Sequence, residues 1–335
     1  MTTLTSPHDL LAAIPFLIGY HPSNSLVLVA LNTDSVDQDA VGMAMRVDLP
    51  VDLSCESYDL LASHFKREQA DGALLVAYTP AESAAGESVL INASAALMRA
   101  GIEIRESLLV QSNRFRSLLC IDSDCCPPEG SPVPEIDSSR IAAEHVIAGH
   151  PMPFATVSEL IHSISALPSA AQESWLSEVK QFIIASDAKE LNHLQRDGAT
   201  AVIDLAGEYH VGRGAEDREL AARVIGRMSD IQVRDFALGS HSLESADSYW
   251  RMWRDLLVIA PNGFVAPIAS VFAALAYERG EGALAQRALD RALADNPSYS
   301  LALLLRRVFT VGWPAKSFTK MRAELHPKVV ATIFG

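Results

Sequence analysis

Cysteine, basic charge and long apolar runs are all in short supply in this chain, and each shortage removes a class of function. Four cysteines among 335 residues are too few for the disulfide scaffold of a small secreted domain. No stretch approaches the ~18 uninterrupted apolar residues of a membrane span. The N-terminus has no basic stretch of the kind that opens a secretory signal, and Asp9 and Pro15 break its apolar run. The expectation is a cytoplasmic protein without a membrane partner. Lys and Arg number 27 against 41 Asp and Glu, a formal net charge of −14. That balance argues against nucleic acid as a partner, because phosphate contacts need a positive surface.

Signature motifs are missing as well. There is no Gly-x-x-x-x-Gly-Lys-Ser/Thr loop, and Gly212-Arg213-Gly214 is too short for a dinucleotide fingerprint. No Gly-x-Ser-x-Gly elbow supports a serine nucleophile. His162, His193, His210 and His241 are scattered, with no His-x-x-x-His pair. No cofactor is named by these patterns.

What is present is globular. Apolar residues make up 49% of the chain and charged residues 20%, which is ample core material. The length exceeds one hydrophobic core. We expect two domains: an α/β domain over 1–130, with a mixed, partly parallel sheet and flanking helices, and an all-helical domain over 131–335. Ser6-Pro7-His8-Asp9 has the cap, proline and acid of a helix start, and Pro15 predicts an early stop. Branched and apolar runs predict strands at 26–31, 41–47, 73–78, 102–111 and 114–121, with helices at 57–69 and 88–100. Two strand–helix–strand crossovers make the second, third and fourth strands parallel. The first and fifth are then antiparallel hairpin partners, and Ser112-Asn113 suits a tight turn. Residues 124–137, rich in proline and acid, predict a linker over the surface. Beyond it, helices are expected at 138–148, 156–167, 172–196, 216–228 and 246–259, with 198–214 ambiguous. Segments at 266–279, 283–294 and 299–309 continue as antiparallel helix pairs near 246–310.

Ligands of open α/β sheets bind beyond the carboxyl ends of parallel strands. Here those ends are Asp48, Tyr78-Thr79 and Gln111-Ser112-Asn113. A first strand antiparallel to the second starts where the second ends, so His21, Ser23, Asn24 and Ser25 should join the same rim. Arg46 lies two residues back, and Arg114 opens the fifth strand. This set of imidazole, hydroxyls, carboxylate and guanidinium groups fits a small anionic ligand. It also fits acid–base chemistry on a phosphorylated or nucleotide-like substrate, in a hydrolase or transferase centred on His21 and Asp48. The structural alternative is that Asp48 caps the next segment and the Ser and Asn residues serve a tight loop.

Cys120, Cys125 and Cys126 put three thiols within seven residues. They could bind zinc with a fourth ligand such as His145 or His150, exchange between thiol and disulfide, or be inert. Their spacing is not the paired Cys-x-x-Cys of a strong metal motif, and Cys55 stands alone. From Leu301 onward six Lys/Arg face one acid, Glu324. Arg306, Arg307, Lys316 and Lys320 thereby form either a solvated helix face or a docking patch for an acidic protein partner.

The stretch Ile14-Pro15-Phe16-Leu17-Ile18-Gly19-Tyr20-His21-Pro22-Ser23-Asn24-Ser25-Leu26-Val27 resembles the actinobacterial "domain of unknown function 4192" family. Arg46-Val47-Asp48-Leu49-Pro50, Cys125-Cys126-Pro127-Pro128-Glu129-Gly130 and the segment 280–305 fit the same pattern in the same order. The resemblance implies an actinobacterial or phage origin and an intracellular protein, and brings no activity, substrate or catalytic residue. Near the C-terminus, Ala273, Ala276, Ala285, Leu289, Ala292 and Pro297 resemble one tetratricopeptide-type helical hairpin. The leading expectation is a non-catalytic interaction or regulatory protein, with an enzyme and a thiol redox-responsive protein as alternatives.

Overall fold

The computed structural model describes residues 4–33, 39–49, 54–81, 83–147, 151–185 and 190–335. Two compact units divide the chain, Met1–Glu159 and Leu160–Gly335. The boundary anticipated at 130/131 therefore lies inside the first unit.

The first unit opens with α1 (Pro7–Ile18). The Ser6 hydroxyl caps it by accepting the Asp9 N–H at 3.2 Å. Pro15 does not stop it: the helix runs on to Ile18 and closes at Gly19 in the left-handed conformation. A proline in the last turn deprives only one carbonyl of its partner, which is cheap beside a buried apolar helix face. Then come β1 (Ser25–Thr33), β2 (Asp39–Asp48), α2 (Cys55–Arg67), β3 (Gly72–Thr79), α3 (Ala85–Arg99), β4 (Glu103–Gln111), β5 (Arg114–Ser117) and β6 (Ser131–Pro132).

The six strands form one sheet in the order β2-β1-β3-β4-β5-β6. β3 and β4 are its parallel pair, and the other neighbours are antiparallel. β2, β3 and β4 run in one direction as expected, but β1 is inserted between β2 and β3. β1 is thus a central strand, and residues 26–31 are buried throughout, matching their unbroken apolar run. One sheet face packs Leu26, Leu28, Leu75, Ala77 and Leu109 against Phe65 of α2 and Leu90 and Leu97 of α3. α1 lies over the other face, where the His8 ring meets Phe115 of β5 edge-on at 5.0 Å. α4 (Arg140–Ile147) backs α1: Ile141 packs on Ala12 and Ala13, and His145 stacks on Phe16 at 4.4 Å.

The predicted linker is not simply surface chain. It contributes β6, which pairs with β5 through Phe115 and Ser131. Gly130 makes that return possible. Its φ is +74°, and a Cβ there would lie 2.7 Å from the Phe115 carbonyl oxygen.

α5 (Val157–His162) spans the division between units, and the second unit is helical: α6 (Ser169–Val179), α7 (Leu191–His210), α8 (Arg218–Arg227), α9 (Ile231–Gly239), α10 (Ala246–Ile259), α11 (Val265–Glu278), α12 (Gly282–Asp295), α13 (Ser300–Thr310) and α14 (Ala315–Phe334). The helix anticipated over 172–196 breaks after Val179 into a 3₁₀ turn, Lys180–Phe182, before α7 begins. The ambiguous 198–214 stretch is mostly helical, because Ala199, Val202, Leu205, Ala206 and Tyr209 form a buried stripe along α7. α11 is apolar all round and forms the centre of this core. α11 packs against α12, and Ala273 and Ala276 of the first and Ala285, Leu289 and Ala292 of the second are all fully buried. Among the described residues, no helix is long and apolar enough to cross a membrane.

Candidate functional site

The register lines up one row of residues across the first unit's sheet. Asp48 of β2 faces Ser25 of β1, Ser25 faces Tyr78 of β3, Tyr78 faces Val110 of β4, and Val110 faces Phe115 of β5. Paired residues in such a row share a sheet face. This row sits at the carboxyl ends of β3 and β4, on the face that α1 covers. A cleft of about 560 Å³ opens there, within the range of small-molecule sites.

Five segments wall the cleft. Leu11 and Pro15 come from α1, and His21 to Asn24 from the segment entering β1. Tyr78 to Pro80 and Val110 to Asn113 come from the carboxyl ends of the two parallel strands and the turns after them, and Val133 to Asp137 follow β6. The walls are anchored by backbone contacts. The His21 N–H donates to the Phe154 carbonyl at 2.9 Å, the Leu49 N–H to Asn24 at 2.9 Å, and the Val133 N–H to Asn113 at 3.1 Å. Gln111 donates its side-chain amide to the carbonyls of Pro80 and Ser83, each at 2.9 Å.

Three wall residues, Asn24, Ser112 and Asn113, have φ of +46°, +51° and +57°. At Ser112 and Asn113 this is the two-residue turn that joins β4 to β5, where both central positions must be left-handed. Asn24 holds the same conformation without a hairpin to require it. Such non-glycine positions gather where local geometry serves a site.

The eight rim candidates divide evenly. His21, Ser23, Tyr78 and Asn113 line the cleft, whereas Ser25, Arg46, Asp48 and Arg114 do not. The insertion of β1 explains Asp48: β2 lies two strand spacings, about 10 Å, from β3. Its carboxylate is largely exposed and pairs with Arg46 at 2.6 Å. The Arg46 Nε also donates to the Ser25 hydroxyl at 2.7 Å, and that buried hydroxyl donates to the Ser23 carbonyl at 2.7 Å. Arg114 points along the β5–β6 edge, donating to the Gly130 carbonyl at 2.5 Å and to Glu129 at 2.8 Å. Burial pushes the Tyr78 phenol above its ordinary range, so it serves as a neutral hydrogen-bonding group.

Sequence reasoning missed Glu135 and Asp137. Both line the cleft from the stretch expected to be a linker. With them the wall carries two carboxylates and, among the described residues, no Lys or Arg, the reverse of the charge that Arg46 and Arg114 suggest from the sequence.

Cys120, Cys125 and Cys126 do come together. Their sulfur atoms all lie within 4.8 Å of one another, and all are free thiols. Burial, with the neighbouring Cys120 thiol, pushes Cys126 up to about 11. His145 instead stacks on Phe16, and His150 lies outside the described residues. Of the basic C-terminal residues, Arg306 pairs with Asp290 at 2.5 Å, while Arg307, Lys316 and Lys320 are exposed.

A family model described as "Domain of unknown function (DUF4192)" matches residues 7–316, a span that holds the whole cleft and all three clustered cysteines. No curated protein and no solved structure matches the chain.

Proposed function

We propose that this chain, which belongs to the DUF4192 family, is a non-catalytic regulatory or interaction protein whose first unit binds a small polar ligand that is neutral or cationic. The observation behind this reading is the cleft wall: imidazole, hydroxyl, phenol and amide groups with two carboxylates and, among the described residues, no Lys or Arg. An anion would meet the exposed carboxylates of Glu135 and Asp137, at a cost in like-charge repulsion. A ligand rich in hydroxyl or amino groups would satisfy the same walls. The second unit supplies the protein-binding face, where exposed Arg307, Lys316 and Lys320 suit an acidic partner. We place the protein in the cytoplasm, in keeping with its free thiols.

The test is a melting screen, followed by calorimetric titration, using inositol, adenosine, spermidine and free arginine beside inorganic phosphate and ATP. Binding is expected from the neutral or cationic group. It should be lost in His21→Ala and Asn113→Gly; the second removes a wall side chain while keeping the left-handed turn favourable. A protein that binds only phosphate or ATP overturns the reading. The triple charge reversal of Arg307, Lys316 and Lys320 to Glu should release any acidic partner without moving the melting temperature.

One observation favours an enzyme as the second reading: His21 shares the cleft with two carboxylates, the elements of general acid–base chemistry. Turnover of a bound compound, abolished by His21→Ala at unchanged stability, would replace the binding-protein reading with this one.

A further inference from the structure

We propose that Cys120, Cys125 and Cys126 form a binding site for a thiophilic d¹⁰ metal ion, Zn²⁺ or Cu⁺, held by three thiolates with one coordination position open. The geometry carries this. Adjacent residues of extended chain point apart, but here the Cys126 N–H donates to the Asp122 carbonyl at 2.7 Å. That turn folds Cys125 and Cys126 back towards Cys120, and the three sulfur atoms come within 4.8 Å of one another. With metal–sulfur bonds of ~2.3 Å, two thiolates on a tetrahedral ion sit about 3.8 Å apart. Rotation about the cysteine side-chain torsions covers the difference without moving the backbone.

The frame around the thiols is already built. The Ser117 hydroxyl accepts the N–H groups of Leu119 and Cys120, each at 3.1 Å, and donates to Glu106 at 2.6 Å. On the far side Pro127 and Pro128 stiffen the chain, and Arg114 grips the carbonyls of Glu129 and Gly130. A loop pinned at both ends loses little entropy when it closes on an ion. Cys125 is exposed and the other two are half-buried, so the site is open to solvent. Soft thiolates select Zn²⁺ or Cu⁺ over Mg²⁺ or Ca²⁺. Among the described residues, no imidazole or carboxylate joins the three sulfurs. An open position suits an ion that exchanges with other thiols or carries a water, rather than one sealed into the fold. Binding displaces the thiol protons, so the ion is taken up with proton release.

The experiment uses the full chain, reduced and freed of reductant under nitrogen. It is titrated separately with Zn²⁺ and Cu⁺ against a chromophoric chelator, and with Co²⁺ as a spectroscopic probe. The expected result is one ion per chain and a near-ultraviolet thiolate-to-cobalt band. Cys→Ser at 120, 125 or 126 should each weaken binding by more than about 100-fold, the upper end of what losing an outer-shell contact costs. Cys55→Ser should change nothing, and the metal-free variants should melt with the parent. Elemental analysis of the chain purified from cells under nitrogen identifies which of the two ions it holds, because raw affinity does not decide occupancy. Three outcomes overturn the site: no stoichiometric ion, retention of the ion by the triple serine variant, or isolation from cells as an internal disulfide that takes up no metal after reduction.

Discussion

Ser25 and Asp48 face each other across the β1–β2 ladder, and the Arg46 guanidinium joins them, donating to the Ser25 hydroxyl at 2.7 Å and meeting the Asp48 carboxylate at 2.6 Å. The two contacts are unequal. Ser25 is fully buried, whereas the Asp48 side chain is 85% exposed. Arg46→Met should therefore destabilise the first unit by about 1.5–3 kcal/mol, the worth of a hydrogen bond to a charged group. Asp48→Asn should cost no more than about 0.5 kcal/mol, as for an exposed ion pair. Hydrogen exchange of the β1 and β2 amides measures both, and equal effects would contradict this assignment.

Gly130 sits at a left-handed φ with the Phe115 carbonyl where a Cβ would go. Gly130→Ala adds conformational strain of about 1–3 kcal/mol and a backbone clash. The expected result is separation of β6 from β5, which frees the cleft wall at 133–137. Protease cleavage in that stretch should accelerate while the α2–α3 side of the sheet keeps its exchange protection. Unchanged cleavage would mean that β6 is not what holds the wall.

These two positions also show what could be seen in the sequence. Local signals carried far: the Ser6 cap, the Ser112-Asn113 turn and the unbroken apolar run of β1 all fold as expected, because each is decided by neighbours a few residues away. Strand order is not local. Nothing near β1 says that β3 pairs on its other side, so local signals alone place Asp48 too close to Tyr78. The Arg46–Asp48 ion pair is local, two residues apart on one strand, but the other acceptors of Arg46 and Arg114 are not: a serine 21 residues away and carbonyls 15 and 16 residues away. Glu135 and Asp137 were hidden by a composition that suits linkers equally well. α14 runs on through Pro327, where a local reading of proline predicts a break.

Asp295, at the end of α12, caps a different helix. Its carboxylate accepts the N–H groups of Gly263 at 2.6 Å, Val265 at 3.1 Å and Ala266 at 3.0 Å, at the start of α11. One acid thereby satisfies three otherwise unpaired donors beside the positive end of the helix. Asp295→Ala should lower the stability of the second unit by about 1–2 kcal/mol, and Asp295→Asn by less. Trp175, Trp250, Trp253 and Trp313 all lie in this unit, so tryptophan fluorescence during urea unfolding follows it alone. A midpoint unmoved by the alanine variant would refute the cap.

The same fluorescence should reveal a pH dependence centred on α14. Arg322 of that helix is buried, with Nε 2.6 Å from one Glu278 oxygen, while His241 lies 2.9 Å from the other. Burial disfavours the ionised Glu278, but the hydrogen bonds from His241 and Arg322 outweigh it and hold the carboxyl below its ordinary value. His326, one turn along, is lowered by its own burial and by the nearby Arg322 and His241 charges. Both groups bind protons less readily in the folded chain than in the unfolded one, so both contribute stability that disappears as pH falls. The urea midpoint should decline as pH drops below the ordinary imidazole value of 6.5, and decline again below the ordinary carboxyl value of 4.5. His326→Gln should flatten the first decline and spare the second. Arg322→Met leaves the buried Glu278 with His241 but without its guanidinium partner and should cost about 3–5 kcal/mol near neutrality, with a smaller penalty at acid pH, where the carboxyl can be protonated. A midpoint constant between pH 7 and pH 5 would remove His326 from this account, and an equal Arg322→Met penalty at both extremes would remove Glu278.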